Sequence, residues 1–119
     1  MYFEFLAQRQ GATWTPTVDV CERADEVVIF VEMPEVQRAD VQLSWNDGVL
    51  IVSGVKRQTP PGRGVAKYLC VERTHGHFHR EITIGLTIDY KRATAELKDG
   101  LMKIRLPKSK PEVVQIPIL

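Results

Sequence analysis

The chain has little cysteine and no excess of charge of either sign. Among its 119 residues only Cys21 and Cys70 are cysteines, and their wide separation gives no Cys-x-x-Cys spacing, so a zinc or dithiol motif is not supported. Sixteen Lys and Arg residues are balanced by fifteen Asp and Glu residues, which leaves a net charge of +1. Because such a chain has no strong positive field, we expect neither nucleic acid nor an anionic membrane as a partner.

Long apolar runs are also missing. No run approaches the roughly 18 residues of a membrane-spanning helix, and the first ten residues include Glu4 and lack the basic start of a signal peptide. We therefore expect a cytoplasmic protein whose cysteines are buried or half-buried free thiols, with an intermolecular disulfide as the alternative. The length and the 44% hydrophobic content suit one domain that folds without metal or disulfide.

Sequence motifs of catalysis are absent from the chain. It contains no Gly-x-Ser-x-Gly, no His-Glu-x-x-His and no Walker-type GxxxxGK[ST] run. His75, His77 and His79 would share one face of a strand, a spacing that places two imidazoles on one metal. Only Glu81 lies near enough to complete such a site, and we prefer to interpret this face as a solvated polar one. We expect no enzyme activity, no metal and no cofactor.

Hydrophobic residues that alternate with polar ones are the dominant pattern, and this period of two is typical of β-strands. Two Asp-Gly pairs, Asp47-Gly48 and Asp99-Gly100, predict tight hairpin turns because they supply positive φ angles. The prolines and glycines between Arg57 and Lys67 predict a long loop. Strands are predicted at 18–20, 27–31, 41–45, 49–55, 78–84, 93–97 and 102–106, and the pattern also allows a short strand at 68–71. We therefore predict an all-β fold, an antiparallel immunoglobulin-like β-sandwich of seven to nine short strands.

The last residues of the sequence are unusually apolar for a segment outside the predicted sheets. Ile116, Pro117 and Ile118 are followed by Leu119. Pro117 favours an extended chain, so the two isoleucines would project as a pair of knobs. Exposed apolar side chains of this size indicate a receiving surface.

Four segments resemble the α-crystallin domain of small heat-shock proteins, in its bacterial and plant branch. Residues 14–34, from Trp-Thr-Pro to Met-Pro, resemble the opening of that domain, and residues 95–102 (AELKDGLM) resemble its signature. Residues 78–80 (FHR) resemble its arginine-bearing strand, and residues 116–118 its C-terminal Ile-x-Ile motif. The four segments occur in the family's order and spacing. We accordingly divide the chain into a short N-terminal arm (1–13), an α-crystallin sandwich domain (14–107) and an extended tail (108–119).

The resemblance implies that the tail of one subunit docks into a groove of another, and two strands fit that role. Both alternate cleanly, and the alanines leave room on the apolar face of the second strand. The expected groove residues are Val41, Leu43, Trp45, Ala93, Ala95 and Leu97.

The resemblance also implies a dimer made by exchange of a segment. Residues 57–69 resemble a loop that carries a short strand to the partner subunit, with Tyr68 and Leu69 available for burial there; a plain surface loop is the alternative. Arg80 falls by parity on an apolar face, where it either snorkels to solvent or, as the resemblance implies, bonds to the partner at the dimer interface.

The sequence thus predicts an ATP-independent holdase that binds unfolding client proteins and assembles with copies of itself from dimers into oligomers. The alternative is a β-sandwich module of the co-chaperone type, which docks one specific protein partner. Such a module lacks both the terminal Ile-x-Ile motif and the long exchange loop, and both features occur here.

Overall fold

The computed structural model describes residues 13–58, 60, 62–64, 67–110 and 113–119. In these ranges the fold is all-β, as predicted, with two three-residue 3-10 helices, Arg38–Asp40 and Tyr90–Arg92. The seven strands are β1 (Val18–Glu22), β2 (Glu26–Glu32), β3 (Val41–Asn46), β4 (Val49–Lys56), β5 (Gly76–Thr83), β6 (Thr94–Lys98) and β7 (Leu101–Pro107).

The strands form two antiparallel sheets that face each other. One sheet has the order β1-β2-β7-β6 and the other the order β3-β4-β5. In the larger sheet, β7 pairs with β2 in a register that places Val31 opposite Met102 and Ile29 opposite Ile104. The edges of the two sheets are therefore β1 and β6 on one layer and β3 and β5 on the other.

Both Asp-Gly pairs form the predicted hairpin turns. Asp47 and Gly48 have φ angles of 48° and 80°, and Asp99 and Gly100 have φ angles of 52° and 78°. Positive φ at both central residues is the conformation of a type I′ turn, whose twist matches the flanking strands. These turns fix the registers of β3 with β4 and of β6 with β7.

The core lies between the sheets and consists of the inward-facing residues of the inner strands. Large side chains such as Phe78, Ile29 and Met33 are fully buried in it. Gly54 on β4 is required by a close approach, because a Cβ there would lie 2.0 Å from the carbonyl oxygen of Asp40 and 2.8 Å from Cζ of Phe78. The sequence thus keeps the inner face of β4 free of a side chain where another backbone crosses it.

Trp14 extends the smaller sheet beyond β5. Its backbone forms a parallel bridge to Phe78, its indole Nε1 donates to the carbonyl of Gly76 at 3.0 Å, and its ring packs against that of Phe78 with centroids 5.0 Å apart. The backbone N–H of Thr13 donates to the carbonyl of His77 at 2.8 Å. These contacts cover part of the edge of β5.

Two local expectations were wrong. Residues 68–71 form no strand within the single chain. Cys21 and Cys70 are free thiols but exposed, not buried or half-buried, since Cys21 lies on the outer face of the edge strand β1 and Cys70 lies outside both sheets. Within the described ranges, no helix has the length and apolar content that a membrane crossing requires.

Candidate interaction groove

An apolar groove runs between the edge strands of the two sheets, β3 and β6. Its volume is about 230 Å³. Leu43 and Trp45 form one wall, and Ala93 and Ala95 form the other. The groove exists because the alanine side chains are too short to close the gap that separates the two layers.

Four of the six predicted groove residues line this groove, and two do not. Leu43, Trp45, Ala93 and Ala95 are brought together, whereas Val41 and Leu97 are half-buried against the core beside it. The residues that sequence reasoning missed also line the groove: Ser44, Leu50, Tyr90, Thr94, Ile104 and Leu106.

The missed residues lie behind or beside the predicted walls. Ile104 pairs with Ala95 across the β6–β7 hairpin, so it reaches the groove past the small alanine side chain. Tyr90 belongs to the 3-10 helix before β6 and is more than half exposed. The hairpin register was a usable signal for Ile104, but nothing in the local pattern around Tyr90 indicates that it turns toward the groove.

Residues 113–119 of the tail are exposed rather than packed on their own sandwich. The side chains of Ile116 and Ile118 are 85% and 99% exposed, so neither isoleucine occupies the groove of its own chain. The tail is anchored to the sandwich at its first residue, Lys108. The backbone N–H of Lys108 donates to the carbonyl of Asp25, and its Nζ lies 2.7 Å from the carboxylate of Glu22. The knobs and the groove are thus both open in the single chain.

The segment predicted to cross to a partner is also apolar and open. Tyr68 is half exposed and Leu69 is 90% exposed. Val71 is also exposed, so three large apolar side chains lie close together outside the two sheets. Exposed apolar clusters of this kind mark interaction surfaces.

Arg80 lies on the inward side of β5, as parity predicted, and is partly buried. Its Nη1 donates to the carbonyl oxygen of Pro16 at 3.4 Å. The guanidinium is therefore directed toward the segment that begins at Trp14. This position on an edge strand leaves it near the boundary of the sandwich.

The histidines do not form a metal site among the residues described. No group of three or more His, Cys, Asp or Glu side chains is arranged to hold a metal ion there. His79 contacts Glu81, with Nε2 and Oε1 3.6 Å apart. His75 and His77 are exposed.

An ion pair fixes the point where the chain leaves β4. Arg57 donates from Nε and Nη2 to the two carboxylate oxygens of Asp40, at 2.9 and 3.1 Å. This two-pronged hydrogen bond holds the pKa of Asp40 below its ordinary value of 3.8. A second pair joins Arg73 to Glu35, so both ends of the 57–75 segment are bound to the sandwich.

Sequence comparison places the chain among known proteins. Residues 19–118 match the family described as Hsp20/alpha crystallin family. The chain is 37% identical over 97 residues to heat shock protein 16 of Schizosaccharomyces pombe and 30% identical over 106 residues to small heat shock protein C4 of Rickettsia felis. These alignments cover 79% and 89% of this chain but only 66% and 64% of those relatives. A plant relative, the 19.0 kDa class II heat shock protein of Oryza sativa, is 34% identical over 128 residues.

Solved structures agree with this assignment. Heat shock protein 16.0 from S. pombe superposes with a TM-score of 0.74 at 33% identity, covering 89% of this chain and 97% of that one. A small heat-shock protein from Xylella fastidiosa superposes with a TM-score of 0.72 at 27% identity, covering 90% and 100%. With a family match over most of its length and the same two-layered sandwich, the chain belongs to the Hsp20/alpha crystallin family of small heat-shock proteins.

Proposed function

We propose that this protein is an ATP-independent chaperone, a holdase that binds apolar segments of unfolding proteins and so slows their aggregation. The observation that carries the proposal is the pairing of an open apolar groove with an apolar tail that lies free of it. A binder of unfolded chains competes with aggregation by mass action. It needs no nucleotide for this competition.

The tail and the groove support a reversible assembly of subunits. We propose that Ile116 and Ile118 of one subunit fill the groove between Leu43 and Ala95 of another. Burial of one isoleucine contributes about 1.5 to 3 kcal/mol, but ordering the tail and losing independent motion cost a comparable amount. Each contact is therefore weak, while many contacts in a closed assembly reinforce one another through high effective concentration. A released tail opens a groove for client segments.

The dimer is proposed to form by exchange of the segment that contains Tyr68 and Leu69. This segment needs a strand to pair with, and an edge strand offers unpaired N–H and C=O groups. Of the four edges, β3 and β6 border the groove, and Trp14 covers part of β5. The edge of β1 is the one that remains, and its inward-facing Val20 is half exposed. We propose β1 of the partner as the acceptor.

An aggregation assay tests the chaperone proposal. A heat-labile substrate protein is warmed with increasing amounts of the full chain, without ATP, and light scattering is recorded. We expect scattering to fall as the ratio of chain to substrate rises. A module that docks one specific partner would leave scattering unchanged for unrelated substrates, and that outcome would contradict the proposal.

A further inference from the structure

Glu35 has a backbone conformation that residues other than glycine seldom adopt. Its φ angle is 64°, and it is the third residue of a tight turn that the backbone N–H of Val36 closes onto the carbonyl of Met33 at 3.2 Å. Pro34 is the second residue of this turn. In a turn with proline second and a positive φ angle third, the third position ordinarily holds glycine or asparagine. A glutamate there strains the backbone, so its side chain is expected to have a compensating role.

The side chain of Glu35 forms an ion pair with Arg73, and a second pair of the same kind lies nearby. Arg57 donates two hydrogen bonds to the carboxylate of Asp40. Both carboxylates belong to the connection between β2 and β3, and the two arginines stand at opposite ends of the 57–75 segment. One short connection therefore holds the segment at two points, and we call these two ion pairs the two-point clamp.

The two-point clamp adjoins the apolar part of the segment that is proposed to cross to a partner. Glu35, Arg57 and Arg73 line one small cavity together with Tyr68 and Val71. When an apolar segment is buried on a partner, ordering the chain that carries it opposes binding. A segment that is already held at both ends meets less of this opposition, because fewer residues have to be ordered when the partner docks.

We propose that the two-point clamp positions the 57–75 segment for docking on a partner subunit, with Glu35 and Asp40 as positioning residues. This inference rests on the exchanged dimer proposed above and adds the residues that prepare it. Glu35 and Arg73 are both more than half exposed, and exposed ion pairs contribute little to the stability of a single subunit. The clamp should therefore act on the affinity between subunits rather than on the fold. The strained turn is kept because its carboxylate serves the dimer.

Glu35→Gly separates these two effects, because glycine accepts the positive φ angle but carries no carboxylate. The parent for this test is the full chain with Ile116→Ala and Ile118→Ala, so that assembly through the tail does not obscure the dimer. Sedimentation velocity over a dilution series gives the dissociation constant of the dimer, and denaturant unfolding of the most dilute, monomeric sample gives the stability of the subunit. We expect Glu35→Gly to weaken the dimer about three- to fivefold, while the unfolding midpoint of the monomer does not fall.

Exchange of the two charges tests the pairing itself. Glu35→Arg and Arg73→Glu should each weaken the dimer, and the two together should restore its affinity, since the ion pair is formed again with its charges reversed. Added salt should weaken the parent dimer more than the Glu35→Gly dimer, because salt screens exposed charges. Asp47→Gly is the matched control. Asp47 also has a positive φ angle, 48°, but it lies in the turn between β3 and β4, so this change should leave the dimer affinity unchanged.

Three results would overturn the clamp: a dimer affinity unchanged by Glu35→Gly, a doubly reversed variant that dimerises no better than the single variants, or an unfolding midpoint of Glu35→Gly well below that of the parent. Failure of the dimer proposal has a different signature. A parent chain that is monomeric at every concentration, or a dimer unaffected by Leu69→Asp, refutes the exchanged dimer itself, and the clamp with it.

Discussion

Replacing both tail isoleucines by alanine should break the assembly without unfolding the subunit. Each Ile→Ala change removes three carbons, worth about 0.8 kcal/mol each when fully buried. The groove is open on one side, so about half of that value should be realised. The Ile116→Ala, Ile118→Ala pair should then lose about 2.4 kcal/mol per tail, which is roughly 50-fold in the dissociation constant of each contact.

Native mass spectrometry and sedimentation over a range of concentrations measure this loss. We expect the double variant to stop at dimers where the unchanged chain forms larger particles, and a chain ending at Gln115 should behave in the same way. Val113→Ala is the matched control, because Val113 is 93% exposed in the same tail but lies outside the Ile-Pro-Ile segment. Thermal unfolding of the double variant should be unchanged, since Ile116 and Ile118 are almost fully exposed in their own chain.

A reciprocal change in the groove strengthens the test. Ala95→Phe should fill the space that the isoleucines need, and it should add little to the double tail variant because both changes remove one interaction. If the double tail variant forms the same large particles as the unchanged chain, at the same concentrations, then the tail does not link subunits and the reasoning is wrong.

Three further predictions concern the sandwich itself. Gly54→Ala should lower the free energy of unfolding by about 1 to 3 kcal/mol in denaturant melts, because the added carbon meets the backbone of Asp40. Gly85→Ala is the control, since no atom lies within 4 Å of the added carbon there. Equal free energies of unfolding for the two variants would contradict the prediction. The lowered pKa of Asp40 implies a contribution to stability that is present above pH 3.8 and lost as the pH falls through the folded-state pKa. The free energy of unfolding, measured at a series of acidic pH values, should show this loss. The Asp40→Asn variant should lack this part of the pH dependence. Arg80→Ala should disturb assembly, and native mass spectra identical to those of the unchanged chain would exclude that role.

Much of the fold could be predicted because its signals are local. Asp47-Gly48 and Asp99-Gly100 fixed two hairpins, since few other residue pairs accept positive φ twice in succession. Alternation then assigned the inner faces of the strands, and burial of Phe78 and Ile82 on one side of β5 follows that assignment.

The remaining features depend on contacts between distant segments. Tyr90 reaches the groove only because a 3-10 helix turns it there, and Trp14 lies beside β5 through partners more than sixty residues away. The ion pair of Arg57 with Asp40 likewise joins two connections that no periodicity relates. Short-range sequence patterns carry no information on these long-range contacts, because the contacts form only when the two sheets pack against each other.

The position of β7 has a consequence for how the protein is made. This strand follows all the other described strands in the chain, yet it lies inside the larger sheet and pairs with β2. Roughly 75 residues separate the ends of the two strands, so at ordinary rates of synthesis Val27 and Ile29 wait about 4 to 15 s for their neighbour. Until then β2 is paired with β1 alone, so its other edge and its apolar inner face stay open. A protein proposed to bind the exposed apolar segments of other chains thus exposes such a segment of its own during the first seconds of its synthesis.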